Sequence, residues 1–153
     1  MSDAQLYFAY CTLIGRTAMT KLCPSARPIV VAHLPEHRMG FARYGAAPGE
    51  GGCTFVPAAG EAMFGVVYRL LEAELAALGA VAGVPRGWYE RVGVTVLDPL
   101  DQGIEAMTYR IPAPLGPYAP PPDYTAGIVA GAREMSLPEA YARRLEAIIA
   151  AGG

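Results

Sequence analysis

Glycine or proline interrupts this chain so regularly that no long helix fits between the interruptions. Eighteen glycines and 14 prolines are spread over 153 residues, and both residue types break helices and favour turns. Short elements joined by tight connections are therefore expected, with the chemistry held on loops. Leu6 to Tyr10 is an apolar, aromatic run that reads as a strand, followed by a polar, small-residue loop. Pro28 to Leu34 and Arg38 to Tyr44 read as a hairpin with Pro35-Glu36-His37 as its connection, and Cys53 to Pro57 and Ala62 to Leu70 read as two further strands. Leu71 to Leu78 is built from good helix formers and stops at Gly79. Trp88 to Leu97 and Ile104 to Ile111 form a second hairpin across the turn sequence Asp98-Pro99-Leu100-Asp101. After a proline-rich link from Pro112 to Pro122, Tyr124 to Glu134 and Pro138 to Ala150 carry helical spacing, with Ser136 as the expected cap of the last helix. Strands come first and helices last, which predicts an α+β fold.

Composition bounds the function. A chain of this length makes one domain, residues 1–153, that buries about 68–70 % of its unfolded surface. With 53 % apolar residues, 17 % charged residues and a net charge of −2, it is neither a disordered tail nor a polybasic binder of nucleic acid. No segment approaches the ~20 apolar residues of a membrane span, and Met1-Ser2-Asp3 opens no signal peptide. Cys11, Cys23 and Cys53 are odd in number and unpaired by any motif, which suits a reducing compartment better than a disulfide framework. A cytoplasmic protein is expected.

Few motifs carry chemistry. His33-Leu34-Pro35-Glu36-His37 matches a metal-binding spacing, but Pro35 bars the helix that would bring both imidazoles to one face, so no metal site is expected. Gly45 to Gly52 lacks the lysine and helix start of a phosphate-binding loop. Cys11 follows a strand and is a candidate nucleophile, although a packed cysteine is the commoner case. Tyr10, Tyr89, Tyr109 and Tyr124 are candidate pocket residues, although taken singly a strand tyrosine is more often core.

The runs Leu6-Tyr7-Phe8-Ala9-Tyr10 and Phe64-Gly65-Val66-Val67-Tyr68, the strand Trp88-Tyr89-Glu90-Arg91-Val92, Tyr109, Pro122-Asp123-Tyr124, and Gly131-Ala132-Arg133-Glu134 through Leu137-Pro138-Glu139-Ala140-Tyr141 occur in this order. Together they resemble the γ-glutamylcyclotransferase-like (AIG2-like) family over nearly the whole chain. The resemblance implies a small mixed β-barrel flanked by helices, with a ligand cavity at one end. It also implies a reaction in which backbone N–H groups of a Tyr-Gly-Ser-Asn loop hold the α-carboxylate of a γ-glutamyl compound. A glutamate then takes a proton from the α-amine, which attacks the γ-carbonyl and releases 5-oxoproline.

Carried over residue by residue, the loop is Tyr10-Cys11-Thr12-Leu13, and the place of the catalytic glutamate is taken by Ala82. A methyl group moves no proton, and general-base help contributes about 10²–10⁴-fold, so the standard reaction is expected to be nearly lost. Substitute acids would have to come from Glu61, Glu90 or Glu105. The expected site comprises Tyr10, Cys11, Thr12, Leu13, Tyr89, Tyr109 and Tyr124, binding a small amino-acid-like or amide metabolite less charged than glutamate. Three alternatives remain: a cyclotransferase with a relocated acid, an enzyme with different chemistry using Cys11 or a tyrosine, and a non-catalytic binding or accessory protein. No cofactor, nucleic acid or membrane partner is implied, and no oligomeric state follows from the sequence.

Overall fold

The computed structural model describes residues 3–152. Five strands close into a barrel in the order β1 (Ala4–Ala9), β3 (Gly51–Leu71), β2 (Arg27–Arg43), β4 (Glu90–Leu97), β5 (Gly103–Arg110). Neighbours are antiparallel except where β5 meets β1, a parallel contact at Tyr7 and Met107. Four helices surround the barrel: α1 (Arg16–Leu22), α2 (Glu72–Ala82), α3 (Pro122–Glu134) and α4 (Glu139–Ala150). The α+β class and the mixed barrel with flanking helices agree with expectation. No helix among the described residues is long and apolar enough to cross a membrane.

The expected first hairpin is not a hairpin. Residues 27–43 run as one strand through Pro35-Glu36-His37, and residues 51–71 run as its partner through Ala58-Ala59-Gly60. The ladder is interrupted between Pro35 and His37, where Glu36 takes φ 61°. There Glu36 Oε2 accepts the Gly60 N–H at 2.7 Å. A bulge with an internal side-chain acceptor lets both strands bend and then resume pairing. The stretch that followed β1 also departs from its reading as loop, because residues 16–22 form α1.

Helix α2 runs four residues beyond the expected stop at Gly79 and ends instead at Gly83, whose φ of 101° is the left-handed conformation that terminates helices. Gly79 lies inside the helix because Tyr109 presses against it: an added Cβ would stand 2.7 Å from the Tyr109 hydroxyl. That hydroxyl is fixed by donating to the Leu75 carbonyl oxygen at 2.6 Å, and Tyr109 is buried. Alanine is the better helix former by about 1 kcal/mol, but overpacking a held ring costs about 1–3 kcal/mol. Gly79→Ala is therefore expected to lower the urea midpoint of unfolding, and the added substitution Tyr109→Ala, which removes the ring, to abolish the extra cost of the methyl group.

The last helix starts at Glu139 after Pro138, without a side-chain cap. Ser136, the expected cap, instead takes φ 59° in the link between α3 and α4. The core joins Phe8, Val66, Val67 and Tyr68 of the barrel to Ile128 and Ala132 of α3 and Leu145 of α4.

Candidate functional site

The turn that leaves β1 is the structural centre of the site. Residues 10–15 pass between the barrel and α3, fixed by one bond to the barrel, one within the turn and one from the following helix α1 to α3. The Tyr68 hydroxyl donates to the Ile14 carbonyl oxygen at 2.7 Å, the Ile14 N–H donates to the Cys11 carbonyl oxygen at 3.3 Å, and the Thr17 hydroxyl donates to Glu134 Oε2 at 3.0 Å. Between these fixed points the N–H groups of Thr12 and Leu13 make no hydrogen bond among the described residues. Both residues line a cavity of about 320 Å³. Two adjacent unpaired amides at a cavity wall are suited to donate to a carbonyl or carboxylate oxygen.

All seven expected site residues, Tyr10, Cys11, Thr12, Leu13, Tyr89, Tyr109 and Tyr124, border this cavity, as does Ala82 at the end of α2. The tyrosines are nonetheless committed differently from free pocket phenols. Tyr10 donates its hydroxyl to the Tyr109 carbonyl oxygen at 2.6 Å, Tyr89 donates to the Cys53 carbonyl oxygen at 2.7 Å, and Tyr109 donates to Leu75 as described. Tyr124 accepts the Cys53 N–H at 3.2 Å. Their hydroxyls pin one element to another, so the rings rather than the hydroxyl protons face a ligand. Burial pushes the phenols of Tyr10 and Tyr89 far above their ordinary value, and those of Tyr109 and Tyr124 upward as well. At neutral pH none of them is a phenolate that could take a proton.

Several lining residues were not read from the sequence. Tyr7 is buried, lines the cavity, and its hydroxyl makes no hydrogen bond among the described residues, which leaves it available to a ligand. Burial also raises its pKa, so it is a donor rather than a base. Trp88 stacks on Tyr44 with ring centroids 4.6 Å apart, and the Arg86 guanidinium lies 4.8 Å above the indole. At the mouth, Leu22 and Val81 are exposed at 57 % and 83 %, giving the entrance an apolar rim. No signal in the sequence announces the stack, because Tyr44 and Trp88 meet only in the folded barrel.

Among the described residues, no Asp, Glu, Lys, Arg or His side chain borders the cavity. Glu61 is bound to Arg144 at 3.0 Å and Glu90 to Arg110 at 2.9 Å. Glu105 is exposed and borders a separate groove between β1, β4 and β5. None of the three substitute acids enters the site. The histidines are also elsewhere, His33 against Phe64 and His37 against Phe55 within the barrel wall.

The cysteines depart from expectation. Cys11 and Cys53, 42 residues apart, form a disulfide in the cavity wall. The pairing had no sequence signature because the turn after β1 and the start of β3 meet only when the barrel closes. Cys11 is therefore a half-cystine rather than a free nucleophile. The free thiol of Cys23 is buried outside the cavity, and burial pushes it up to about 11.

Comparison with known proteins bears on this arrangement. The AIG2-like family matches residues 62–145. The γ-glutamylcyclotransferase of Bos taurus is 29 % identical over 150 residues, covering 95 % of this chain and 79 % of the relative. Among solved structures, a γ-glutamyl cyclotransferase superposes with a TM-score of 0.86 at 28 % identity, covering 95 % of this chain and 88 % of the other. An uncharacterized protein from Homo sapiens gives 0.88 at 28 % identity, with 96 % and 89 % covered. On the family match and the shared barrel, this chain belongs to the AIG2-like family as a γ-glutamylcyclotransferase-like protein.

Proposed function

We propose that this protein binds a small amino-acid-like or amide metabolite in the cavity beside Thr12 and Leu13, and that it does not perform the standard cyclotransferase reaction at an enzymatic rate. The observation that carries the reading is the absence, among the described residues, of any ionisable carboxylate bordering the cavity, with Ala82 there instead. Cyclisation needs a base to free the α-amine for attack, and the neighbouring phenols are held protonated by burial. The unpaired amides of Thr12 and Leu13 are suited to a ligand carbonyl, and the Tyr7 hydroxyl to a second polar atom. The ring-lined wall and the exposed Leu22 and Val81 favour a ligand less charged than glutamate. A binding role without turnover is favoured over covalent catalysis by one further observation, the sequestration of Cys11 in a disulfide. In this reading the protein works in the cytoplasm, although the Cys11–Cys53 disulfide removes the cysteine argument for a reducing compartment.

The experiment has two arms. Incubation with γ-glutamyl amides is expected to release 5-oxoproline no faster than buffer does. A thermal-shift series of small amides, neutral amino acids, γ-glutamyl compounds and glutamate is expected to show the largest rise with an uncharged amide. At one hundred times its Kd such a ligand adds about 2.7 kcal/mol, or roughly 5–10 °C for a chain of this size. Rapid release of 5-oxoproline by the unmodified protein would refute the loss of turnover, and a rise confined to free glutamate would refute the ligand class.

A further inference from the structure

The Cys11–Cys53 disulfide has a property that a purely structural cross-link does not need: both of its residues border the cavity. Their Cα atoms are 6.5 Å apart, within the range disulfides span without backbone movement. Cys11 is 8 % exposed and Cys53 5 %. Both residues are otherwise enclosed, so the cavity is the side from which a reagent reaches the pair.

The two sulfurs differ in their surroundings. The Tyr124 oxygen accepts the Cys53 N–H and lies 3.1 Å from Cys53 Sγ. A disulfide sulfur carries no hydrogen, so in that contact the Tyr124 hydroxyl is the donor. Its proton already points at one sulfur of the pair, and hydrogen bonding to a departing thiolate makes that sulfur the better leaving group. No donor stands within hydrogen-bond distance of Cys11 Sγ among the described residues. Tyr124 remains protonated at neutral pH, as this role requires.

We infer that the Cys11–Cys53 pair is a thiol–disulfide exchange site for a small, uncharged monothiol seated in the cavity. The ligand thiolate attacks Cys11 Sγ in line with the S–S bond. A new S–S bond joins the ligand to Cys11 while the old bond breaks, and its electron pair leaves on Cys53 Sγ, which keeps the Tyr124 hydrogen bond. Return attack by Cys53 on Cys11 Sγ expels the ligand and restores the disulfide. Attack by a second ligand thiol on the ligand's own sulfur instead releases the ligand's symmetric disulfide and leaves Cys11 as a thiolate. In that case two thiols are oxidised, the protein disulfide is reduced to two thiols, and the protons of the two ligand thiols pass to Cys11 and Cys53. The cavity volume admits a small molecule, and the lack of charged lining residues sets the preference for an uncharged one.

The test uses the full chain, equilibrated in air-saturated buffer and then exposed to 2-mercaptoethanol. Samples are quenched in acid and read by intact mass and peptide mapping. One adduct per chain is expected on Cys11, with Cys53 open to alkylation and Cys23 alkylated only after denaturation. A thiol-terminated polyethylene glycol, too large for the cavity, is expected to react at least about tenfold more slowly. Tyr124→Phe removes the hydroxyl donor; it is expected to slow adduct formation about tenfold and to spread the adduct over both sulfurs. A Tyr124 with only a structural role would leave the choice of sulfur unchanged, and that result overturns the inference. So do three alkylatable thiols in the air-equilibrated chain denatured without reductant, an adduct found first on Cys53, or a polymer thiol that reacts as fast as the small one.

Discussion

Ala82→Glu is expected to raise 5-oxoproline release from γ-glutamyl amides by about 10²–10⁴-fold over the unmodified protein, the range that a positioned general base contributes. Position 82 is the last residue of α2, half-buried, and borders the cavity that Thr12 and Leu13 also line. Two features of the site tune an introduced carboxyl in the useful direction. The C-terminal end of a helix carries partial negative charge, and the surrounding walls offer no cation to steady a carboxylate. Both raise the carboxyl pKa toward neutrality, where a base combines adequate occupancy of its ionised form with a strong pull on the proton. The activity should therefore rise with pH as the carboxyl ionises. Ala82→Gln fills the same space without a base and is expected to gain nothing. Equal rates for the two variants would show that the missing base is not what limits turnover. Loss of the gain on reducing Cys11–Cys53 would instead locate the control in the neighbouring disulfide.

The fold was readable where local chemistry and tertiary structure agree. Asp98-Pro99-Leu100-Asp101 makes the turn it advertises, with Asp98 Oδ1 accepting the N–H groups of Leu100 and Gln102 at 2.8 and 2.9 Å, and β4 pairs with β5 as expected. Reading failed where a breaker is absorbed by its neighbours. Pro35 and Gly60 look like chain reversals in isolation, yet the Glu36 carboxylate bridges the irregularity and the two strands continue. Gly79 looks like a helix stop because nothing local reveals the Tyr109 ring that requires it. The seven-residue α1 has no side-chain cap to announce it. In the site, the residues carried by the family resemblance are brought to one cavity. The Tyr44–Trp88 stack and the Cys11–Cys53 bond escaped because each joins segments about forty residues apart.

Buried tyrosines of the site, together with the core residue Tyr141 of α4, should make the fold unstable to alkali. Burial raises the phenol pKa of Tyr7, Tyr10, Tyr89 and Tyr141 far above the ordinary value near 10, and that of Tyr68 to about 12. The direction of the effect follows from which state ionises first. The unfolded chain loses these protons near pH 10 while the folded chain holds them, so the stability is fully present below pH 10 and is lost as pH rises toward the folded values. Between pH 10 and pH 11 each such group contributes about 1 kcal/mol of loss, and five together about 5 kcal/mol. Against a total stability of about 5–15 kcal/mol, that is enough to unfold the protein or bring it to the edge. Urea titrations at pH 9, 10 and 11 are expected to show a midpoint near its neutral value at pH 9, lower at pH 10 and collapsed at pH 11, with recovery on return to pH 8. Tyr68→Phe removes one of the five phenols and is expected to flatten the alkaline fall while lowering stability at pH 8 by about 1–3 kcal/mol, because the Ile14 carbonyl oxygen loses its donor. A midpoint at pH 11 equal to that at pH 9 would mean that water reaches these hydroxyls in the folded state. The ring-lined, charge-free interior that favours an uncharged ligand would then be untenable as well.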